Sequence, residues 1–180
     1  MGSSLHGHDD NTMGSESSVA STDWTHLAIV RNGNTITLYL NGISVNSGSY
    51  SGQDFTNQTE IIFGGNNNGY FHGRLFDLRI VKGTAVYTAD FAVPTTFLEN
   101  ISGTSLLTFR TAVPYDESSN SHAFTVASRP RGVPQNTIYD YLNYSTSSNS
   151  GSVYLDGTGD HITIPWSSDF EFGSGDFTIE

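Results

Sequence analysis

"WTHLAIVRNGNTITLYLNGISV", Trp24 to Val45, is the stretch that decides the fold. Leu27, Ala28, Ile29 and Val30 run together within Trp24–Arg31, which predicts a strand apolar on both faces and central in a sheet. Asn32-Gly33-Asn34 then turns the chain, because Asn and Gly tolerate the positive φ that tight hairpins need. Thr35–Asn41 alternates, so Ile36, Leu38 and Leu40 are expected to face inward and Thr35, Thr37 and Tyr39 the other way. Asn41-Gly42 turns again into Ile43–Val45. The unit reads as a β-meander.

Outward from it the same texture continues. Strands are expected at 60–65, 73–83, 104–110, 122–127, 152–157 and 159–166, and in the closing "GDFTIE". A single strand over 73–83 puts Asp77 and Arg79 on one face, as neighbours able to pair. Residues 46–59 read as a polar loop and 128–151 as a long irregular segment. In 84–97, Ala, Tyr and Phe are spaced for a short helical turn, ended by Pro94. With 19 Gly, 11 Phe, 9 Tyr and 2 Met, the composition is that of an all-β domain with many turns. No internal repeat joins the two halves.

At 180 residues the chain fits one domain. Its 18 acidic and 7 basic residues give a formal charge of -11. That argues against nucleic acid, whose phosphates need Lys/Arg clusters, and against an anionic membrane surface. The acidic residues are spread out, as on a solvated surface. Without cysteine there is no disulfide, thiolate site or Cys-ligated zinc. No apolar run reaches bilayer length, so no membrane insertion is expected. Residues 1–19 form a polar start that reads in part as an expression leftover.

"SVYLDGTGDHITIP…SSDFEFGSGDFTIE" resembles the opening of laminin-G-like, concanavalin A-like lectin/glucanase jelly-roll domains, of the kind found in phage and marine microbial surface proteins. "DWTHLAIVRNGNTITLYLNGISV" and "IFGGNNNGYFHGRLFDLRIVKGTAVYTADFAVPT" resemble the second half of the same domain, and "TSLLTFR…DESSNSHAFTV" the strand and loop before the opening. The resemblance covers about residues 20–180 and implies a two-sheet antiparallel jelly-roll β-sandwich. The order differs from the family's: residues 105–180 match its N-terminal half and 20–98 its C-terminal half, with 99–104 as a linker. The chain therefore reads as a circular permutation of one domain or a window across two tandem copies. Jelly-roll termini lie close together, so a compact sandwich of both halves, closed within the chain, is expected ahead of strand exchange between chains. A missing strand would leave an open edge and favour a homo-oligomer.

The resemblance implies a non-enzymatic glycan-binding or adhesion module of a virion appendage or secreted surface protein, meeting a glycosylated surface. The alternatives are a ligand-free spacer or oligomerisation module and a glycosidase remnant. The family's glucanases carry E-x-D-x-x-E, which Glu171, Asp176 and Glu180 do not match. A sugar site needs an aromatic platform beside amide or carboxylate partners. Asn66, Asn67, Asn68, Tyr70 and His72 supply these in "NNNGYFHG", and Trp166 is a further platform. The competing reading packs Tyr70 or Phe71 into the core and leaves the Asn residues as a turn. Trp24, opening a buried strand, reads as core. Relatives bind Ca2+ in rim loops, which makes Asp156 and Asp160 of "DGTGD" candidate ligands. The competing reading has both carboxylates accepting turn amides.

Overall fold

A computed structural model of the chain describes residues 23–56, 60–66, 69–111, 113–127, 131–133 and 151–180. The polar start 1–19 and most of 128–151 lie outside these residues. The strands are β1 (Leu27–Asn32), β2 (Thr35–Leu40), β3 (Ile43–Ser49), β4 (Glu60–Phe63), β5 (Gly65–Asn66), β6 (Gly69–Tyr70) and β7 (His72–Leu75). They continue as β8 (Leu78–Lys82), β9 (Thr104–Thr108), β10 (Thr125–Ala127), β11 (Arg131–Val133), β12 (Ser152–Asp156), β13 (His161–Pro165) and β14 (Phe177–Ile179). Among the described residues there is one 3-10 turn, Ser168–Phe170, capped by the Ser167 side chain. Every described pairing between strands is antiparallel.

The quoted meander builds half of a six-stranded sheet ordered β3-β2-β1-β14-β8-β9. One register row crosses it as Leu38, Ile29, Ile179, Ile80 and Leu106. These side chains share one face and supply its apolar layer. Ile80 and Leu106 meet Ile164 of β13 and Phe170, so the second layer packs on this face. That layer consists of the sheets β10-β13-β4 and β11-β12-β7. Val153, Leu155 and Ile162 of the second layer close around Phe109. Alternation explains the two-sided architecture: Val153 and Leu155 point inward, and Tyr154 between them points away.

The other face of the six-stranded sheet is covered too. Ala28, Val30 and Tyr39 are buried under Ala85, Tyr87 and Phe91. Residues 84–98 therefore form an irregular strap across the sheet and not the expected helical turn. Tyr87 and Phe91 stack at 3.5 Å, and Phe91 meets Tyr39 edge-on. The alternation of 35–41 consequently has no solvent side at Tyr39, which is 3% exposed. Thr178 of β14 fastens the strap: its Oγ1 accepts from Val86 N at 2.9 Å and donates to Thr84 O at 3.1 Å.

Two further expectations are corrected. The expected strand 73–83 is two strands in different sheets, separated at Asp77, whose φ is 50°. The break sends Asp77 to Arg110, Nε to Oδ1 at 2.7 Å, while Arg79 pairs with Glu180 instead. Residues 46–49 of the expected loop belong to β3.

β14 lies between β1 and β8, so residues near one end of the chain complete a sheet made otherwise by residues 27–108. A buried polar network holds the position. Arg79 Nε donates to Glu180 Oε1 at 2.9 Å, its Nη2 reaches the same oxygen, and Nη1 donates to Glu99 O at 2.7 Å. Tyr87 donates to Glu180 Oε2 at 2.5 Å, and His26 Nε2 stands 3.6 Å from that oxygen. Burial pushes the Glu180 carboxyl up, but His26, Tyr87 and Arg79 outweigh it and hold it below the usual range. Burial and the adjacent carboxylate push the Tyr87 phenol well up.

Candidate functional site

The site-bearing hairpin grows directly from β4. Phe63 pairs with Ile162, and Gly64 and Gly65 then turn the chain at φ 100° and 123°. A Cβ at Gly65 would lie 2.1 Å from Gly69 O, so only glycine lets β5 and β6 approach. Phe71 N donates to Gly64 O at 2.7 Å and closes the hairpin base. Asn66 pairs through its backbone with Gly69, while Asn67 and Asn68 lie outside the described residues. Tyr70 and Phe71 emerge 39% and 40% exposed. Neither is a core residue, in contrast to the competing sequence reading. Phe71 covers Gly73, where a Cβ would come within 2.6 Å of its ring.

β7 then carries His72 and Arg74 alongside β12, with His72 opposite Asp156 and Arg74 opposite Tyr154. His72 Nε2 lies 2.9 Å from Tyr154 Oη. The Arg74 guanidinium sits 5.3 Å from the centre of the Tyr154 ring, within cation–π range. The loop 157–160 packs against the same place: a Cβ at Gly157 would meet His72 Cβ at 2.9 Å, and one at Gly64 would meet Asp160 O at 2.9 Å. The β7–β12 pair thus sets His72, Arg74, Tyr154 and Asp156 on the face away from the core, while the ring of Phe71 lies over Gly73 on the opposite face.

Trp166 does not join them. It follows Pro165, which pairs with Glu60 at the far end of β4 from the hairpin. The separation along β13 from Ile162 to Pro165 is about 10 Å at the rise of a strand. Trp166 is 47% exposed and is followed by Ser167 and the short turn that carries Asp169. Ser167 Oγ donates to Asp169 Oδ2 at 2.8 Å, and His122 Nε2 is 3.4 Å from the same oxygen. The acid stands between hydroxyl and imidazole, so His122 meets Asp169 and not the serine. Trp24 is half-buried and meets Phe76 edge-on at 6.0 Å.

The two rim carboxylates serve their turn. Asp156 Oδ1 accepts from Thr158 N at 2.8 Å, and Asp160 Oδ2 from Asp156 N at 3.0 Å. Asp160 Oδ1 is buried without a hydrogen-bond partner among the described residues. Among those residues no three His, Asp or Glu side chains gather as a metal would require. Calcium favours six to eight oxygens, and two carboxylates already holding turn amides are a poor fit for it. Asp176 and Glu180 are likewise committed: Asp176 Oδ1 accepts from Gly33 N at 2.7 Å, and Glu180 is enclosed by Arg79, Tyr87 and His26.

Sequence reasoning did not single out Arg74 or Tyr154. The outward position of Tyr154 was available from the alternation Val153-Tyr154-Leu155. The pairing of β7 with β12, nearly eighty residues apart in sequence, was not.

The family model Laminin_G_3, described as concanavalin A-like lectin/glucanases superfamily, matches residues 2–86. It supports the laminin-G-like resemblance read from the sequence, and the all-β antiparallel architecture is consistent with a concanavalin A-like sandwich. No curated protein and no solved structure matches the chain. The superfamily match supports a module of carbohydrate-binding type at most, in a superfamily that also includes glycosidases.

Proposed function

We propose that the chain is a non-enzymatic carbohydrate-binding module that meets its glycan at the rim made by residues 64–74 and 154–160. The observation that carries this reading is the exposure of two aromatics, Tyr70 and Phe71, in the hairpin that leads directly into the hydrogen-bonded His72–Tyr154 pair. Sugar rings present C–H faces to aromatic side chains and hydroxyls to polar ones, and this rim offers both within one hairpin and its neighbouring strand. Asn67 and Asn68 extend the same hairpin in sequence. On this reading the module acts in adhesion, on a virion appendage or a secreted surface protein, where glycan-bearing surfaces are met. The absence of a poised carboxylate pair among Asp176, Glu180 and Glu171 supports binding without turnover.

One observation favours a second reading, an oligomerisation module. β3 is a seven-residue edge strand with Ile43 and Val45 at 53% and 47% exposure. On that strand Ser44 N donates to the Asp90 side chain at 2.9 Å.

A glycan array with the whole chain, repeated in EGTA and with Tyr70→Ala/Phe71→Ala, separates these. The binding reading expects specific signals that survive EGTA and fall at least tenfold in the double variant. No binding to any glycan, together with a solution mass at a multiple of 19.5 kDa, would establish the oligomerisation reading instead.

A further inference from the structure

We infer that residues 151–180 are an exchangeable segment, and that two copies of the chain trade it, each completing the sandwich of the other. The rim assigned above to glycan contact then joins 64–74 of one copy to 154–160 of its partner, a consequence that rests on the carbohydrate-binding reading. The exchange itself stands on the sheet topology.

Each strand of this segment fills a gap between two strands from earlier in the chain. β14 lies between β1 and β8, β13 between β10 and β4, and β12 between β11 and β7. Among the described residues no pairing joins β12, β13 and β14 to one another. Residues 27–133 thus form a body with three slots, one in each of these sheets, and 151–180 fill all three. An empty slot leaves strand edges unpaired and uncovers the apolar layer, here Ile80 and Leu106, which meet Ile164 and Phe170 of the segment. The closed and the exchanged arrangements share every one of these contacts, so exchange costs none of them.

Charge matches the segment to the body. It carries Asp156, Asp160, Asp169, Glu171, Asp176 and Glu180 and neither Lys nor Arg, whereas all 7 basic residues of the chain precede it. The cations that grip it belong to the body. Arg79 pairs with Glu180, Lys82 Nζ donates to Ser168 O at 2.7 Å, Arg31 Nη1 donates to Gly173 O at 3.2 Å, and Arg74 lies over Tyr154.

The connection between the two parts is longer than its ends require. Val133 and Ser152 are partners in register. Antiparallel neighbours so placed are ordinarily joined by about two to five residues. This chain sets 134–151 between them, and residues 145–150 read Ser-Thr-Ser-Ser-Asn-Ser, a composition that builds no core. Extended, a stretch of that length reaches about 55 Å, against about 40 Å for the diameter of a fold of this size. It therefore spans to a neighbouring copy.

The test mixes two full-length variants. Ile80→Asp breaks the body and Ile164→Asp the segment, each by burying a charge in the core. Either alone should refold without near-UV dichroism. Refolded together, the intact body of the Ile164→Asp chain takes the intact segment of the Ile80→Asp chain. About half the wild-type near-UV signal should then return, in a species of twice 19.5 kDa. Wild type should show that doubled mass by light scattering. Replacing 134–151 with Asn-Gly, which pins β12 beside its own β11, should halve it. A mixture that recovers no more signal than the separate variants overturns the exchange, as does a monomeric wild type or an Asn-Gly variant that keeps the doubled mass. None of these readouts uses a glycan, so the carbohydrate reading stands or falls separately on the array.

Discussion

Glu180 shows how one side chain can join distant parts of a chain. It touches Arg79 from β8, Tyr87 from the strap and His26 ahead of β1. Removing one partner of a buried ion pair leaves the other charge uncompensated, at a cost of about 3 to 5 kcal/mol. Glu180→Gln should therefore lower unfolding stability by about 3 kcal/mol at neutral pH, read by urea denaturation. The pH dependence has a definite sign. The carboxyl is held below its ordinary value of 4.5, so its contribution is complete above that pH and is lost as pH falls through the lower folded value. Asp77, raised by burial against the pull of Arg110 and Leu98, titrates in the opposite sense. The comparison that isolates Glu180 is therefore wild type against Glu180→Gln, and the variant's stability should decline less steeply below pH 4.5. Equal acid slopes would show that Glu180 is not the group responsible.

On the proposed function, the hairpin β5–β6 is the element on which the binding surface depends. Gly65→Ala would drive a methyl group into Gly69 O, which is backbone and cannot swing aside. A residue with a Cβ at positive φ and with no room costs more than about 1 kcal/mol. The hairpin should open while the β-sandwich survives, so glycan affinity should fall at least tenfold with little change in far-UV dichroism. Unchanged affinity would remove the hairpin from the site. The elements also show what the sequence could tell. The meander 24–45 was legible because local alternation and Asn-Gly turns specify it without distant contacts. The strap 84–98 was misread because apolar spacing fits a helical turn equally well, and only the sheet beneath it decides. The break at Asp77 was hidden because a residue leaving one sheet for another keeps strand-like neighbours on both sides. Of the candidate residues, Tyr70 and His72 were proposed from composition near a glycine turn. Arg74 and Tyr154 depend on a long-range register that no local pattern reports.

Across the whole molecule the two rims are distinct. The hairpin end holds the exposed aromatics Tyr70 and Phe71, whereas the far rim places Trp166 next to an internally satisfied Ser167–Asp169 pair. The six-stranded sheet and the second layer fix the distance between them, since both ends of β13 are anchored by pairing with β4. Carbohydrate contact should consequently appear at one end only. Backbone amide shift mapping by NMR, with isotope-labelled chain titrated by the tightest glycan of the array, reads this over every assigned residue at once. The expected result is saturable shifts confined to residues 64–74 and 154–160, with Trp166 Nε1–H unmoved. Shifts centred on residues 122 and 166–169, or none that saturate, would contradict the placement of the site.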